Sequence, residues 1–167
     1  MTTIKSLSEM RGRRVLITGG TGHLGRTMAD ALAELGASIV VLDRPGADFA
    51  SLENHLSQTW GIECCSIACD LEVEAERNRV IRKIKTDGKG LACLINNAAF
   101  VGSSDLEGWI GPFEQQTLAT WRRALEVNLT APFHLSQGLI RELQAAKGGN
   151  IINIISIYGE LGPDWRL

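Results

Sequence analysis

Thr18, Gly19, Thr21, Gly22, His23, Leu24 and Gly25 belong to the run TGGTGHLG, which leaves a short apolar segment and enters a helical pattern. Glycines so placed permit a tight turn at Gly19 and close backbone approach to a pyrophosphate, whose charge the helix N–H groups would face. A glycine motif alone is weak evidence. Here Asp43 closes the next apolar run roughly twenty residues on, where an acidic side chain can hold both hydroxyls of a ribose. The combination points to a dinucleotide, against the plainer reading of a glycine-rich turn followed by an acid in a loop. Asp43 would repel the 2′-phosphate of NADP, so NAD is expected over NADP, and the adjacent Arg44 is the one feature favouring the phosphate. His23 reads as a turn residue rather than a catalyst.

Two more residues are candidates for chemistry. Asn128 lies four positions before Pro132. Proline has no N–H, so the Asn128 carbonyl loses its helical donor, the helix should kink there, and the carbonyl becomes available to a water. Ser156 ends the last apolar run, where the alternative is a serine that closes a turn. The four cysteines, Cys64, Cys65, Cys69 and Cys93, form no CxxC and sit in apolar runs, where cysteine behaves as a small hydrophobe rather than a metal ligand or redox partner.

These residues are carried by alternating strand and helix patterns. Strands are expected from Arg14, over Ser38–Asp43, Ile62–Asp70, Leu91–Asn96 and Asn150–Ser156. The helix after the glycine run would turn Leu24, Met28, Leu32 and Leu35 inward before Gly36 stops it. Asp48 can cap a helix carrying Phe49, Leu52, Leu56 and Trp60, with Gly61 ending it. A charged helix follows, with Val80, Ile81 and Ile84 inside and its Glu, Arg and Lys side chains outside. One long helix is expected from Thr117 toward Ala146, with Trp121, Leu125 and Leu129 on its apolar stripe. The stretch from Phe100 to Gln116 has no period, and a segment of that kind in a compact domain either has a task or moves. Strands apolar on both faces, each followed by a helix, imply an α/β fold: a doubly wound, Rossmann-type parallel sheet of about five strands covered on two sides.

The bulk properties agree. A chain of 167 residues, 44% hydrophobic and 22% charged, is that of one globular domain spanning residues 1–167. A net charge of −2 offers no basic field for nucleic acid. The first residues form no apolar leader, and no run of about 18 apolar residues occurs, so a cytoplasmic protein without a membrane partner is expected.

The whole chain resembles the short-chain dehydrogenase/reductase family. TGGTGHLG, Asp43, Asp70 with Leu71, NNAA at Asn96–Ala99, VNLT at Val127–Thr130 and the strand ending at Ser156 occur in the family's order. The family has a compact and an extended form. The TGxxGxxG spacing resembles the extended form, which includes nucleotide-sugar epimerases and dehydratases, whereas NNAA resembles the compact form and carries more weight.

The resemblance implies an oxidoreductase that moves hydride between a nicotinamide and an alcohol, ketone or sugar-like small molecule. It implies that Asp70 and Leu71 contact the adenine, and that Asn96, Asn97 and Ala98 belong to the cofactor cleft. It further implies that Asn128 holds a water of the proton relay and that the Ser156 hydroxyl bonds the reacting oxygen. Asp70 is equally placed to cap a helix. In the family the helix from Thr117 is commonly a dimer surface, which implies a homo-oligomer for the full-length protein.

The family's Tyr-x-x-x-Lys, which exchanges the proton and binds the nicotinamide ribose, has no counterpart: the one tyrosine, Tyr158, has Gly162 four positions on. With everything upstream intact, this reads as truncation rather than decay, and the 167 residues alone are expected to be inactive. The rival readings are a nucleotide-sugar epimerase or dehydratase, distinguished by whether a nucleotide-diphosphate sugar protects against unfolding, and a non-catalytic dinucleotide-binding protein, distinguished by the sequence beyond Leu167.

Overall fold

A computed structural model describes residues 3–102, 106–109, 111–146 and 148–157. Tyr158 and the residues after it lie outside this set. The sheet contains β1 (Arg14–Thr18), β2 (Ser38–Asp43), β3 (Cys64–Ala68), β4 (Cys93–Asn96) and β5 (Asn150–Asn153), all parallel, in the order β3-β2-β1-β4-β5. The strand order reverses between β1 and β4, so a crevice opens there at the C-terminal ends of the strands. The third, fourth and fifth strands are shorter than their apolar runs predict, because the flanking residues lie beyond the paired ladders.

The strands alternate between two cores. Leu16, Val40, Leu42 and Leu94 meet α4 (Glu74–Thr86) and α6 (Ala131–Ala145) on one face. Val15, Ile17, Ile39, Val41, Cys93 and Ile95 meet α2 (His23–Glu34) and α3 (Phe49–Trp60) on the other. Successive strand residues point to opposite faces, which is why both parities had to be apolar. A short α1 (Ile4–Ser8), capped reciprocally by Thr3 and Ser6, precedes the sheet and had no periodic signal.

Three helices depart from the expected burial. In α2 the buried face is Gly25, Ala29 and Ala33, while Leu24 is 59% exposed. Small residues let the helix backbone lie close to the sheet. In α4 the apolar face is Val80, Ile81 and Ile84 as expected, but Arg77 is buried with them at 1% exposure. The long helix from Thr117 is divided: α5 (Leu118–Leu125) runs into a π-helical turn at Glu126–Thr130 and then into α6. The interruption precedes Pro132, which sits in the first turn of α6, where its missing N–H is tolerated. Trp121 and Leu129 point outward at 57% and 65% exposure, and the buried stripe is Thr120, Ala124, Ala131, Leu135, Leu139 and Leu143. Gly138 lets α6 cross α4 closely, since a Cβ there would lie 2.5 Å from Ile81 Cδ1.

Asp48 caps α3 as expected, its Oδ1 accepting from the Ser51 amide at 3.2 Å, and Gly61 closes that helix in the left-handed region. Among the described residues no helix is long and apolar enough to cross a membrane.

Candidate functional site

The residues singled out for chemistry gather along the C-terminal edge of the sheet. Gly19 leaves β1 at φ +64, a conformation that favours glycine, and a Cβ there would sit 2.9 Å from Ala98 Cα. Gly20 faces Val41, whose Cγ1 would be 2.7 Å from an added Cβ. At Gly25 a Cβ would overlap the Gly19 carbonyl oxygen. The glycines therefore fold the turn against β2, against the residues after β4 and against its own helix. His23 is exposed and opens α2, and no side chain caps that helix end, so its first N–H groups are left to whatever sits above the turn.

Across the crevice, Thr18 and Asn97 lock β1 to β4. Thr18 Oγ1 accepts from the amides of Asn97 and Ala98, each at 3.0 Å, while Asn97 Nδ2 donates to the carbonyls of Thr18 at 2.9 Å and Gly19 at 3.1 Å. The first asparagine of the pair behaves differently. Asn96 is 4% exposed, and its Nδ2 donates to Asn153 Oδ1 at 2.8 Å, so its side chain ties β4 to β5 rather than facing the cleft.

The carboxylate at the end of β2 is engaged with the glycine turn. Asp43 Oδ2 accepts from the Thr21 amide at 2.9 Å and from the Thr21 hydroxyl at 2.6 Å, and Oδ1 accepts from the Arg44 amide at 2.8 Å. Arg26, one turn into α2, donates from Nε to the Thr21 carbonyl at 2.8 Å and from Nη2 to the Asp48 carbonyl at 3.1 Å, which binds the turn to the start of α3. Neither role of Arg26 was apparent in its sequence position.

After β3, Asp70 forms a local turn, its Oδ1 accepting from the Glu72 amide at 2.9 Å, while Glu76 Oε2 accepts from the Asp70 amide at 2.7 Å. The N-cap of α4 is Val73, so Asp70 shapes the loop and does not cap the helix. Leu71 is buried beneath it.

Asn128 lies in the π-helical turn. Its Oδ1 accepts from the Phe100 amide at 2.7 Å and its Nδ2 donates to the Phe100 carbonyl at 3.1 Å, which clasps the segment leaving β4. Described residues of the aperiodic stretch pack beside that clasp. The Phe100 and Trp109 rings meet edge to face at 5.2 Å, Trp109 Nε1 donates to the Val101 carbonyl at 2.7 Å, and Thr120 Oγ1 donates to the Glu107 carbonyl at 2.9 Å. Ser156 lies just past β5 and is exposed.

Burial pushes the Cys64 thiol up to about 12, with Glu53 adding to it, and the Cys69 thiol up to about 11, with Glu76 adding to it. Burial alone raises Cys93. All three are protonated near neutral pH and poor nucleophiles.

The topological crevice and the glycine turn coincide, and the comparison with known proteins follows the same line. The family model described as short chain dehydrogenase matches residues 13–166. The chain belongs to the short-chain dehydrogenase family.

Within this family the chain is 26% identical over 154 residues to the 3-oxoacyl-[acyl-carrier-protein] reductase of Aquifex aeolicus, covering 92% of this chain and 59% of the relative. It is 29% identical over 161 residues to the 5-keto-D-gluconate 5-reductase of Escherichia coli, covering 96% and 60%. Among solved structures, an NAD⁺-bound xylitol dehydrogenase superposes with a TM-score of 0.80 at 27% identity, covering 92% of this chain and 56% of that one. The L-sorbose reductase of Gluconobacter frateurii, complexed with NADPH and L-sorbose, superposes with a TM-score of 0.83 at 25% identity, covering 95% and 57%. The chain thus spans less than two thirds of the length of each relative.

Proposed function

We propose that this chain is the nucleotide-binding portion of an NAD(P)-dependent oxidoreductase acting on an alcohol, ketone or sugar-like small molecule, with NAD preferred. The observation that carries this reading is Asp43 held over the glycine turn by Thr21, at the reversal of the strand order. The glycine cradle fits a dinucleotide: side chains are excluded at Gly19, Gly20 and Gly25, and the N-terminus of α2 is uncapped. A bound nicotinamide would supply or accept the hydride.

The chain's own residues would bind and orient. Thr18, Gly19, Thr21, Gly22, His23, Leu24 and Gly25 would enclose the pyrophosphate, Asp43 would accept from the ribose hydroxyls, and Arg44 would stand beside them. Asp70 and Leu71 would border the adenine, and Asn97 and Ala98 would form the far wall of the crevice. Asn96 would support that wall through β5. Asn128 would hold a water for the proton path, and Ser156 would donate to the reacting oxygen. Proton exchange in the family uses a Tyr-x-x-x-Lys pair that the 167 residues do not contain, so these residues alone would bind nucleotide weakly at best and without turnover. We place the protein in the cytoplasm and expect the full-length form to self-associate through the exposed apolar side chains of the helix from Thr117, including Trp121 and Leu125.

The test is a fluorescence titration of NADH and NADPH into the full-length protein, followed by assays of NAD(P)H oxidation coupled to reduction of keto sugars such as L-sorbose and 5-keto-D-gluconate. Saturable NADH binding with turnover of a keto sugar supports the reading. Failure to bind either dinucleotide refutes it.

A further inference from the structure

Arg77 is the largest fully buried side chain among the described residues, and its three nitrogens reach three different elements. Nη1 donates to the Leu71 carbonyl in the loop after β3, Nε donates to His134 Nδ1 on α6 at 3.1 Å, and Nη2 donates to Glu126 Oε1 at 2.6 Å. Glu126 is the first residue of the π-helical turn that carries Asn128. A buried guanidinium is tolerated only while its partners stay in place, because a lost partner leaves a desolvated cation. The loop and the π-turn are therefore held to one relative arrangement.

A second link runs over the surface of the same junction. Glu72 receives a two-pronged contact from Arg123, with Nε and Nη2 each at 2.9 Å. The Arg123 guanidinium lies 5.1 Å from the centre of the Phe100 ring, and Phe100 is the residue whose backbone Asn128 clasps. Both links start in the loop at residues 70–72; one ends at Glu126 in the turn that carries Asn128, the other at Phe100, whose backbone Asn128 clasps.

We propose that Arg77, paired with Glu126, is a positioning residue that couples the loop at residues 70–72 to Asn128. A nucleotide seated with its adenine on that loop thereby sets the geometry of the asparagine at the reacting end. The proposal rests on the cofactor reading above, in which residues 70 and 71 border the adenine. It gives the buried cation a task that the α4–α6 packing does not require, since Val80, Ile81, Leu135 and Leu139 already form that contact.

Adenosine 5′-monophosphate tests the coupling, because it reaches the adenine end and cannot touch Asn128. Hydrogen exchange is followed in the full-length protein with and without this nucleotide, for the wild type, Glu126→Gln and Arg77→Lys. Peptides from α6 gauge any global stabilisation, and thermal melting confirms folding of each variant. Glu126→Gln keeps the shape of a partly exposed side chain, so it serves if the buried Arg77→Lys fails to fold. In the wild type, the nucleotide should slow exchange about threefold or more at residues 70–72 and also at residues 126–130. In the variants the first protection should remain and the second fall to about half or less, the Arg123–Glu72 contact carrying the remainder. Protection at 70–72 without any at 126–130 in the wild type overturns the coupling alone. Protection at 126–130 that is undiminished in Glu126→Gln overturns the assignment to Arg77 and Glu126. Absence of protection at 70–72 overturns the adenine reading and the coupling with it.

Discussion

Thr21 holds Asp43 from two sides, its hydroxyl at 2.6 Å and its amide at 2.9 Å from the same carboxylate oxygen. With the Arg44 amide on the other oxygen, the carboxylate is oriented before any ribose arrives. A preorganised acceptor loses little freedom on binding, and on the proposed cofactor reading its fixed charge would disfavour a 2′-phosphate.

Cofactor preference follows from this pair. In the full-length protein, Asp43→Ala should move the ratio of NADH to NADPH affinity toward NADPH by about tenfold or more, the effect of removing roughly 1.4 kcal/mol of discrimination. Thr21→Val, which removes the hydroxyl but not the amide contact, should weaken NADH binding by a smaller factor. Parallel fluorescence titrations measure both. An unchanged ratio in Asp43→Ala would take the carboxylate out of the ribose site.

Asn128 and Ser156 should separate turnover from binding. Asn128→Ala and Ser156→Ala are expected to lower kcat by about a hundredfold, the lower range for a lost proton-path group, while NADH affinity stays within about twofold. Asn128→Asp keeps an acceptor for the Phe100 amide and loses the donor to the Phe100 carbonyl. It should therefore fall between wild type and alanine. Near-normal kcat in both alanine variants would remove these residues from the site.

The glycine cradle makes a stability prediction. In Gly25→Ala the new Cβ would overlap the Gly19 carbonyl oxygen and lie 2.7 Å from Gly20 Cα, both rigid backbone. Destabilisation of about 2 kcal/mol or more is expected, together with loss of nucleotide binding. Gly46→Ala is the control: its φ is +85 but nothing lies within 4 Å, so only backbone strain of about 1 kcal/mol applies. Urea unfolding of the two variants distinguishes steric overlap from strain.

The buried end of β1 should respond to acid. Arg14 is 8% exposed and meets Asp87 at 2.7 and 3.0 Å. Burial pushes the Asp87 carboxyl up, but the hydrogen bond from Arg14, the Lys89 amide and the two nearby cations outweigh it and hold the carboxyl below its ordinary range. A depressed folded-state value means that the stabilisation is complete above the unfolded value of about 4 and is lost as the pH falls through the folded one. Asp87→Asn should lower stability at pH 7 by about 1 to 3 kcal/mol, because Arg14 is left without its charge partner, and should flatten the decline of Tm between pH 5 and pH 3. A wild-type acid slope retained in the variant would assign that slope to other carboxylates.

Much of the molecule was legible along the chain because it depends on near neighbours. Two-sided apolar strands, a glycine turn between a strand and a helix, Asp48 and Gly61 at the ends of α3, and Asp43 at the end of β2 are local patterns, and a parallel α/β sheet is the arrangement that buries them. Tertiary contacts decided the rest. Arg77 looked like one more charge on a solvated helix, and its burial rests on Glu126 and His134, partners from distant parts of the chain that no period along α4 can announce. The outward Leu24 and Trp121 have the hydropathy of core residues, and only the close approach of Ala29, Ala33 and Ala124 to their neighbours turned them away. Asn96 and Asn97 are adjacent and chemically identical. The pleat of β4 ends between them, so one amide faces β5 and the other the glycine turn, a distinction that exists only once the strands are paired.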